Sequence, residues 1–234
     1  MERKGFIESS IIFISMSESS SAVVKDGHSL ETLSFREYRP ADSQRFVEIM
    51  AGAWPKLTRS IHLASVDWYV GSATWKETAC VSDAAVGVLF GKVDSDLTSL
   101  GRLGIFLTHV TVYLKLLLGL YGRLPHRLTS IKNGISSERK IATNSPEVDG
   151  EITFFAVDAA YRRKGIGKAL MGRFIDHAKK KGARRIFVYT TDPGSDWAFY
   201  ERYGFRKHSS FRDSFMSFAW KEEVAAIIYI LDIE

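Results

Sequence analysis

The segment AAYRRKGIGKAL, residues 159–170, places three consecutive cations and two glycines directly before an apolar run. If a helix begins here, the cations at 162–164 lie at its N-terminus, where the helix dipole disfavours positive charge. Gly165 and Gly167 allow close approach of the backbone, and a helix N-terminus presents unpaired N–H groups. The pattern predicts an anion site, most naturally for a phosphate or pyrophosphate. A glycine-rich turn with solvated cations is the alternative interpretation.

Two familiar phosphate-binding loops do not fit this segment. A dinucleotide fingerprint G-x-G-x-x-G requires glycine where Leu170 stands. A Walker A loop requires Ser or Thr after Gly167 and Lys168, but Ala169 follows, and Arg162 occupies the place of its first glycine. The segment therefore belongs to another kind of anion site.

The composition excludes several other classes of site. The 234 residues are 45% hydrophobic and 25% charged, which is typical of a chain with an ordinary buried core. The formal net charge of +5 fits an anionic ligand, although a solvated excess of lysine gives the same number. The single cysteine, Cys80, cannot form an internal disulfide and favours a reducing compartment. The six histidines have no paired spacing, so we expect no metal site.

Alternating strand and helix patterns run along the chain from residue 33. Strands are predicted at 33–39, in a hairpin formed by WKETACVS and AAVGVLFGKVD, at 150–158, in ARRIFVYTT and in VAAIIYILDI. Helices are predicted in ADSQRFVEIMAGAW, within 57–70, in KALMGRFIDHAKKKG and in SDWAFYERYGF. This order predicts an α/β (α+β) fold, with one domain built on a mixed sheet.

Two stretches fall outside that pattern. Residues 1–31 are too weakly apolar for a signal peptide and are predicted to form an N-terminal appendage to the domain at 32–234. Residues 97–149 are predicted to be an insertion, with 123–149 as a long polar loop.

The segment 97–122 is nearly long and apolar enough to span a membrane. Its small and polar residues recur every three or four positions, which predicts a helix with one narrow polar stripe. We expect no transmembrane span, because His109 and Lys115 lie near the middle and the flanking strands are predicted to belong to one sheet. The helix is instead expected to be covered by the domain, by a partner subunit in a homodimer, or by contact with a membrane surface.

The motif Arg162-x-x-Gly165-x-Gly167 resembles the acetyl-CoA-binding signature R/Q-x-x-G-x-G/A of the GNAT N-acetyltransferase superfamily. The flanking EITFFAV and RRIFVYT resemble the family's fourth and fifth strands, and AFYERYGF, 198–205, resembles its A-x-x-F-Y-x-x-x-G-F helix and turn. The resemblance implies a GNAT fold: a mixed, mostly antiparallel central sheet with splayed parallel central strands and helices on both faces.

This resemblance also implies a cofactor site for acetyl-CoA and no metal. The pantetheine arm would pair with the backbone of Phe155, Ala156 and Val157, where an N–H group would face the thioester oxygen. Where the family often has an asparagine this chain has Pro193, and the nearby Ser195 is assigned to the cofactor instead. The residues assigned to the phosphates are Arg162, Arg163, Lys164, Gly165, Ile166, Gly167 and Lys168. Cations that are unfavourable beside an empty helix N-terminus are favourable beside bound phosphates.

Two side chains are candidates for proton transfer. Tyr200 matches the family tyrosine that protonates the leaving thiolate, although it also lies in a cluster of aromatic residues that could be core. Glu151 matches the glutamate that histone-type members use to deprotonate the amine through water. A solvated carboxylate at a strand start, with a water chain as base, is the alternative for Glu151.

These features predict an acetyl-CoA-dependent N-acetyltransferase that moves the acetyl group to a primary amine by direct attack. The amine of a small molecule, a peptide or a protein would serve as acceptor, and we expect no nucleic-acid partner. The lone cysteine favours the cytoplasm. A regulatory or membrane-surface protein that binds acetyl-CoA without turnover is the alternative; loss of Tyr200 and Glu151 would be expected of it, and both are present.

Overall fold

The computed structural model describes residues 12–13, 22–26 and 29–233. Its strands are β1 (Ile12–Phe13), β2 (Ala22–Asp26), β3 (Ser29–Glu37), β4 (Trp75–Val81), β5 (Ala84–Val93), β6 (Gly150–Val157), β7 (Arg185–Asp192), β8 (Arg206–Arg212) and β9 (Ala225–Asp232). Its helices are α1 (Ser43–Ala53), α2 (Arg59–Ser72), α3 (Ser99–Leu118), α4 (Arg127–Asn144), α5 (Ile166–Lys180), α6 (Trp197–Tyr203) and α7 (Ser214–Trp220). Most of the predicted appendage at 1–31 lies outside the described residues, and its described part supplies β1, β2 and the start of β3.

Within the described part of the chain, all the strands join one sheet in the order β1-β2-β3-β4-β5-β6-β7-β9-β8. Every neighbouring pair is antiparallel except β6 and β7, which run parallel at the centre. That parallel pairing covers only Gly150–Ile152 against Ile186–Val188, and the two strands separate beyond it. The predicted hairpin and the predicted fold class are both confirmed.

One face of the sheet is covered by α5. The helix presents Leu170, Met171 and Phe174 to the sheet, all fully buried, at the spacing of one helical face. Burying side chains of this size contributes roughly 2–3 kcal/mol each. Phe174 lies so close to β5 that a Cβ on Gly91 would be 2.1 Å from its ring, so this position requires glycine.

The opposite face is covered by α1 and α2, so helices lie on both faces as predicted. Here Phe46 of α1 packs edge-on against Phe90 and Phe154 of the sheet, with ring centroids 5.2 and 4.7 Å apart. This aromatic layer fixes α1 and α2 over β5 and β6. The residues of α2 therefore lie beside the point where β6 and β7 separate.

The helix predicted within 97–122 is confirmed as α3. Thr98 accepts a hydrogen bond from the Gly101 N–H across 3.0 Å at its start, and Gly119 in the left-handed conformation ends it. Its polar side chains face inward: His109 Nε2 lies 2.7 Å from Ser72 Oγ, and Lys115 Nζ donates to Asp67 Oδ2 across 2.9 Å. The pKa of His109 is lowered to about 4 by burial and by the cation of Lys92, so the ring is neutral at pH 7.

The outer face of α3 is apolar and is not covered by this chain. Only 11% of the stretch Ser99–Leu118 is buried, and by length and composition alone this helix could cross a membrane. Its exposed apolar side chains are Leu100, Leu103, Phe106, Leu107, Val110, Leu114, Leu117 and Leu118. The expectation that the domain itself covers the segment is wrong, which leaves a partner subunit or a membrane surface.

The long polar loop predicted for 123–149 is wrong, because most of that stretch forms α4. The helix packs on α7 through Ser137, whose Oγ donates to Asp213 Oδ1 across 2.8 Å and accepts from the Phe215 N–H across 2.9 Å. Residues 206–220, which received no assignment from the sequence, form β8 and α7. Through α7, α4 is held beside the open side of β6.

Candidate active site

The separation of β6 from β7 leaves a strand edge open at the centre of the sheet. Beyond Ile152 the edge of β6 that faces β7 has no strand partner, while its other edge stays paired with β5 as far as Val157. The Oγ1 atom of Thr153, in this stretch, is buried without a hydrogen-bond partner among the described residues. An extended polar chain inserted here would satisfy such groups.

The three residues assigned to the pantetheine arm lie along this open stretch. Phe155 and Val157 pack toward α5, whereas Ala156 is buried on the α1 face. Ala156 can therefore offer a ligand only its backbone. A Cβ on Gly167 would lie 3.0 Å from Phe155 Cζ, so the strand and the start of α5 are in close contact here.

The predicted anion site forms around the N-terminus of α5. Gly165 is the N-cap, with φ of 78°, and no side chain caps the helix. The first-turn N–H groups of Ile166, Gly167 and Lys168 are therefore available to an anion. The Ile166 side chain is fully buried, so this residue can contribute only its N–H.

The cations before α5 are held in part by the turn that follows β6. Arg162 donates from Nε to the Val157 carbonyl across 3.0 Å, and its side chain is otherwise exposed. Lys164 Nζ lies 5.3 Å from the ring centre of Tyr161, and Arg163 has a φ of 65° that turns the chain into the helix. The structure thus brings residues 162–168 together at one helix end, as the sequence predicted.

An ion pair that the sequence did not suggest fixes this turn. Asp158 accepts a hydrogen bond from the Ala160 N–H across 2.9 Å and forms an ion pair with Arg45 of α1. Arg45 also donates from Nε to the Ala85 carbonyl across 3.0 Å. The turn between β6 and α5 is therefore tied to α1 and to β5.

Tyr200 of α6 is buried in an aromatic cluster beside the open strand. Its side chain is 7% exposed, and its ring centre lies 6.5 Å from that of Phe155 and 5.7 Å from that of Phe205. Burial and the nearby charge of Asp196 raise its pKa well above the usual range for tyrosine. The hydroxyl makes no hydrogen bond to a described residue, so its proton can be given to a ligand.

Glu151 lies on β6 at the point where the strands separate. Its Oε2 accepts a hydrogen bond from Lys92 Nζ across 2.8 Å, and the carboxylate is about a quarter exposed. Ser195 lies beyond β7, where its Oγ donates to the Thr191 carbonyl across 2.9 Å. The side chain of Ser195 is thus engaged within its own turn.

A cavity of about 300 Å³ joins the candidates for catalysis. Glu151, Phe155, Ser195 and Tyr200 all line it, together with residues of α1, α2, α3 and α4. Residues 162–168 do not line it. The anion site and the cavity are therefore separate, and Phe155 is near both, because it lines the cavity and lies beside Gly167.

The sequence analysis did not single out Glu138, which also lines this cavity from α4. Surrounding protein atoms and the nearby charge of Glu151 raise the pKa of Glu138 to about 7, although the residue is exposed to solvent on its outer side. Helical spacing is the signal that could have found it, because the cavity-lining residues of α4 recur every three or four positions: Ser130, Ile131, Gly134, Ser137, Glu138 and Ile141. Among the residues that the structure describes, no group of three or more His, Cys, Asp and Glu could hold a metal ion.

Comparison with known proteins relates one segment of this chain to a family. The model of the acetyltransferase (GNAT) family matches residues 136–205, which contain β6, α5, β7 and α6. A search of the curated proteins found no match to this sequence.

Solved structures share the fold at low sequence identity. The structure of SsHAT is 15% identical, covers 86% of this chain and 98% of its own, and has a TM-score of 0.60. A protein described as an acetyltransferase of the GNAT family, from Desulfovibrio desulfuricans, is 16% identical over 86% of this chain and 99% of its own, with a TM-score of 0.52. An aminoglycoside 6'-N-acetyltransferase complexed with coenzyme A is 12% identical. Its match covers 86% of this chain and 97% of its own, with a TM-score of 0.52. The chain therefore has the fold of these acetyltransferases, and its segment 136–205 matches the acetyltransferase (GNAT) family.

Proposed function

We propose that this protein is an acetyl-CoA-dependent N-acetyltransferase that acts on a primary amine. One observation carries the proposal: the open edge of β6 connects an uncapped, cation-rich helix N-terminus with a cavity that contains Glu151 and Tyr200. The first feature suits a diphosphate, the open edge suits an amide-containing arm, and the cavity suits an acceptor.

The residues present fit the cofactor. The N–H groups of 166–168 and the cations at 162–164 would hold the phosphates, and the backbone of 155–157 would hold the pantetheine arm. When bound, acetyl-CoA supplies an acetyl thioester, which an amine can attack. The buried, unpartnered Thr153 Oγ1 is a further polar group on this edge that a ligand could satisfy.

Side chains of this protein would carry out the proton transfers of the reaction. Glu151 accepts a proton from the acceptor ammonium, directly or through water, so that the amine attacks as the neutral base. An N–H group of Ala156 or Val157 stabilises the negative charge that develops on the carbonyl oxygen. Tyr200 keeps its proton at neutral pH, because burial raises its pKa, and can give that proton to the leaving thiolate.

The test is a screen of amine acceptors in which release of free thiol is followed with acetyl-CoA present. Calorimetry with CoA measures cofactor binding separately. We expect binding in the micromolar range and thiol release that depends on the acceptor. Folded protein that fails to bind CoA would overturn the proposal, and binding without turnover of any amine would favour the regulatory alternative.

We also propose that α3 rests on an anionic membrane surface. Its exposed side is apolar, with Leu107 and Leu114 each 52% exposed, while its polar side chains bind inward to α2. Residues 97–137 contain no Asp or Glu, and their cations are Arg102, Lys115, Arg123, Arg127 and Lys132. Lys115 is neutralised by Asp67, but the exposed cations Arg102, Arg123 and Lys132 accompany the apolar face, and this combination matches a bilayer of negative charge.

Flotation with lipid vesicles tests this surface. The protein should float with vesicles that contain phosphatidylserine and much less with neutral vesicles. Leu107→Glu together with Leu114→Glu should abolish flotation while the thermal stability stays unchanged, because both side chains are exposed. Protein that stays unbound to both vesicles and elutes as a dimer, which the double variant converts to a monomer, would show that a second copy covers α3.

A further inference from the structure

The acceptor cavity has a charge opposite to that of the protein as a whole. The chain carries a formal net charge of +5, yet none of the residues that line the cavity is Lys, Arg or His. Its ionisable carboxyl groups are Glu138, Glu151 and Asp213. An anionic cavity in a cationic protein is poorly suited to an anionic acceptor and well suited to a cation.

The three carboxyl groups are not equivalent, because two of them already have partners. Asp213 is fully buried and accepts hydrogen bonds from Ser137 Oγ, the Met216 N–H and the Tyr189 hydroxyl. Glu151 is paired with Lys92. Glu138 has no hydrogen-bond or ion-pair partner among the residues described, so it is the group that a ligand cation would meet.

The walls of the cavity favour an organic cation over a metal ion. Trp54, Trp68, Tyr69, Tyr113 and Phe154 line it, and aromatic faces attract ammonium groups. They also bind the methylene groups of an alkyl chain. The volume of about 300 Å³ is at the lower end of small-molecule sites, so the ligand is small.

We propose that the acceptor is a small amine with two positive charges, one amino group reacting beside Glu151 and Tyr200 while a second ammonium binds the carboxylate of Glu138. This rests on the proposed acetyl transfer, since that function makes the cavity an acceptor site. Glu138 would then determine specificity without taking part in the reaction. Ammonium binding also compensates for the desolvation of its carboxylate.

The pH dependence follows from the groups that face Glu138. They are Glu151 on β6, Lys92 on β5, Tyr69 on α2, Tyr113 on α3, Tyr189 on β7, and Asp213 before α7. Burial raises the pKa of the three tyrosines, so they stay neutral near pH 7. The pKa of about 7 for Glu138 then predicts that affinity for a diamine rises as the pH increases from 6 to 8.

The experiment compares α,ω-diamines from propane to hexane with the monoamine of the same length. Wild-type protein should prefer the best diamine by about 10- to 100-fold in kcat/KM, the usual effect of a hydrogen bond to a charged group. Glu138→Gln should remove that preference, together with the part of its pH dependence that comes from Glu138, so that diamine and monoamine of the same length have similar kcat/KM. Glu138→Asp should retain part of the preference for diamines. Glu138→Lys should shift the preference from diamines to ω-amino carboxylates of the same length. Glu147→Gln, which removes a carboxylate from the exposed loop after α4, is the matched control and should behave as wild type.

Direct binding separates this inference from the proposed function. Calorimetry with the best diamine should show affinity that Glu138→Gln weakens by the same factor, with or without turnover. If monoamines are acetylated as well as diamines, the inference is overturned and the acetyltransferase function stands. If diamines bind through Glu138 but no amine is acetylated, the inference about the ligand stands and the proposed reaction is wrong. Absence of both diamine binding and diamine preference overturns the inference.

Discussion

Lys92 on β5 and Glu151 on β6 lie directly opposite each other in the sheet, and Lys92 Nζ donates to Glu151 Oε2 across 2.8 Å. The pair explains why a carboxylate is stable at the point where the central strands separate. Two roles for Glu151 are consistent with this pair: it acts as the base for the acceptor, or it serves only as the ion-pair partner of Lys92. The two roles predict different effects on turnover when Glu151 and Lys92 are substituted.

If Glu151 is the base, Glu151→Gln should lower kcat by roughly 10²-fold or more, and by a larger factor at low pH, where less of the amine is neutral. Lys92→Met removes the same ion pair and keeps the carboxylate, so its kcat should stay within a few fold of wild type. Steady-state rates across pH 6–9 with an identified acceptor make the comparison. Equal losses in the two variants would show that Glu151 serves only the ion pair.

Tyr200→Phe removes one hydroxyl from an aromatic cluster and should leave thermal stability and CoA affinity nearly unchanged. It should lower turnover by roughly 10²–10⁴-fold, the usual contribution of a positioned acid. Tyr203→Phe on the same helix is the matched control, because that residue does not line the cavity, and it should keep the wild-type rate. Wild-type turnover by Tyr200→Phe with chemistry rate-limiting would make Tyr200 a packing residue.

Gly165→Glu places a side chain and a negative charge where a phosphate would bind, so calorimetry should detect no CoA binding. The backbone conformation also opposes the change, since φ is 78° at this residue. Gly182→Glu is a close control: its φ is 79° and its added Cβ would meet nothing within 4 Å, but it lies at the other end of α5. Unchanged CoA affinity in Gly165→Glu would mean that the phosphates bind elsewhere.

Asp213→Ala should destabilise the fold by about 3–5 kcal/mol in urea-induced unfolding. The change removes the N-cap of α7, where Asp213 accepts from the Met216 N–H across 2.8 Å. It also leaves the hydroxyl groups of Ser137 and Tyr189 without their acceptor. Asp213→Asn keeps one acceptor oxygen and should lower the free energy of unfolding by less than Asp213→Ala does. Equal losses of unfolding free energy in the two variants would contradict this account.

Glu138→Gln should raise the stability of the protein above pH 7. Because the folded state raises the pKa of Glu138 from 4.5 to about 7, folded protein holds the proton more tightly than unfolded protein does. Stability therefore falls as the pH increases between those values, and the loss is complete above them. Melting temperatures of Glu138→Gln and wild type should agree near pH 4.5 and differ at pH 8, with Glu147→Gln showing no difference. A variant that melts below wild type at pH 8 would refute the desolvation of Glu138.

The part of the site nearest the cofactor signature could be predicted from sequence because its signals are local. The alternation of GEITFFAV, the glycines at 165 and 167, and the helical face of α5 each determine a segment from its own residues. The splay of β6 from β7 was predicted only through the family resemblance. It is a relation between strands about 35 residues apart, and no local pattern encodes it.

The acceptor side could not be predicted, since it depends on tertiary contacts. The sequence of α4, with its Ser, Asn and Gly residues, favours a loop by composition, and the helix is stabilised by the contact of Ser137 with Asp213. The position of Glu138 in the same cavity as Glu151 depends on the packing of α4 against α7 and, through Ile141, against β7 and β9. On α3 the helical period was predicted correctly, but the sequence did not indicate which side faces the domain; in the structure the polar stripe faces α2 and the apolar side faces outward.

The contact of Ser137 with Asp213 has an evolutionary consequence. It fastens α4 to the C-terminal part of the sheet by a few polar groups, whereas the anion site and the open strand are built from 155–168. Mutations in α3 and α4 can therefore reshape one wall of the cavity while the groups assigned to CoA keep their positions. A gene that exchanged this segment could acquire a new acceptor in few steps, so diversification within this lineage should be concentrated in residues 97–149.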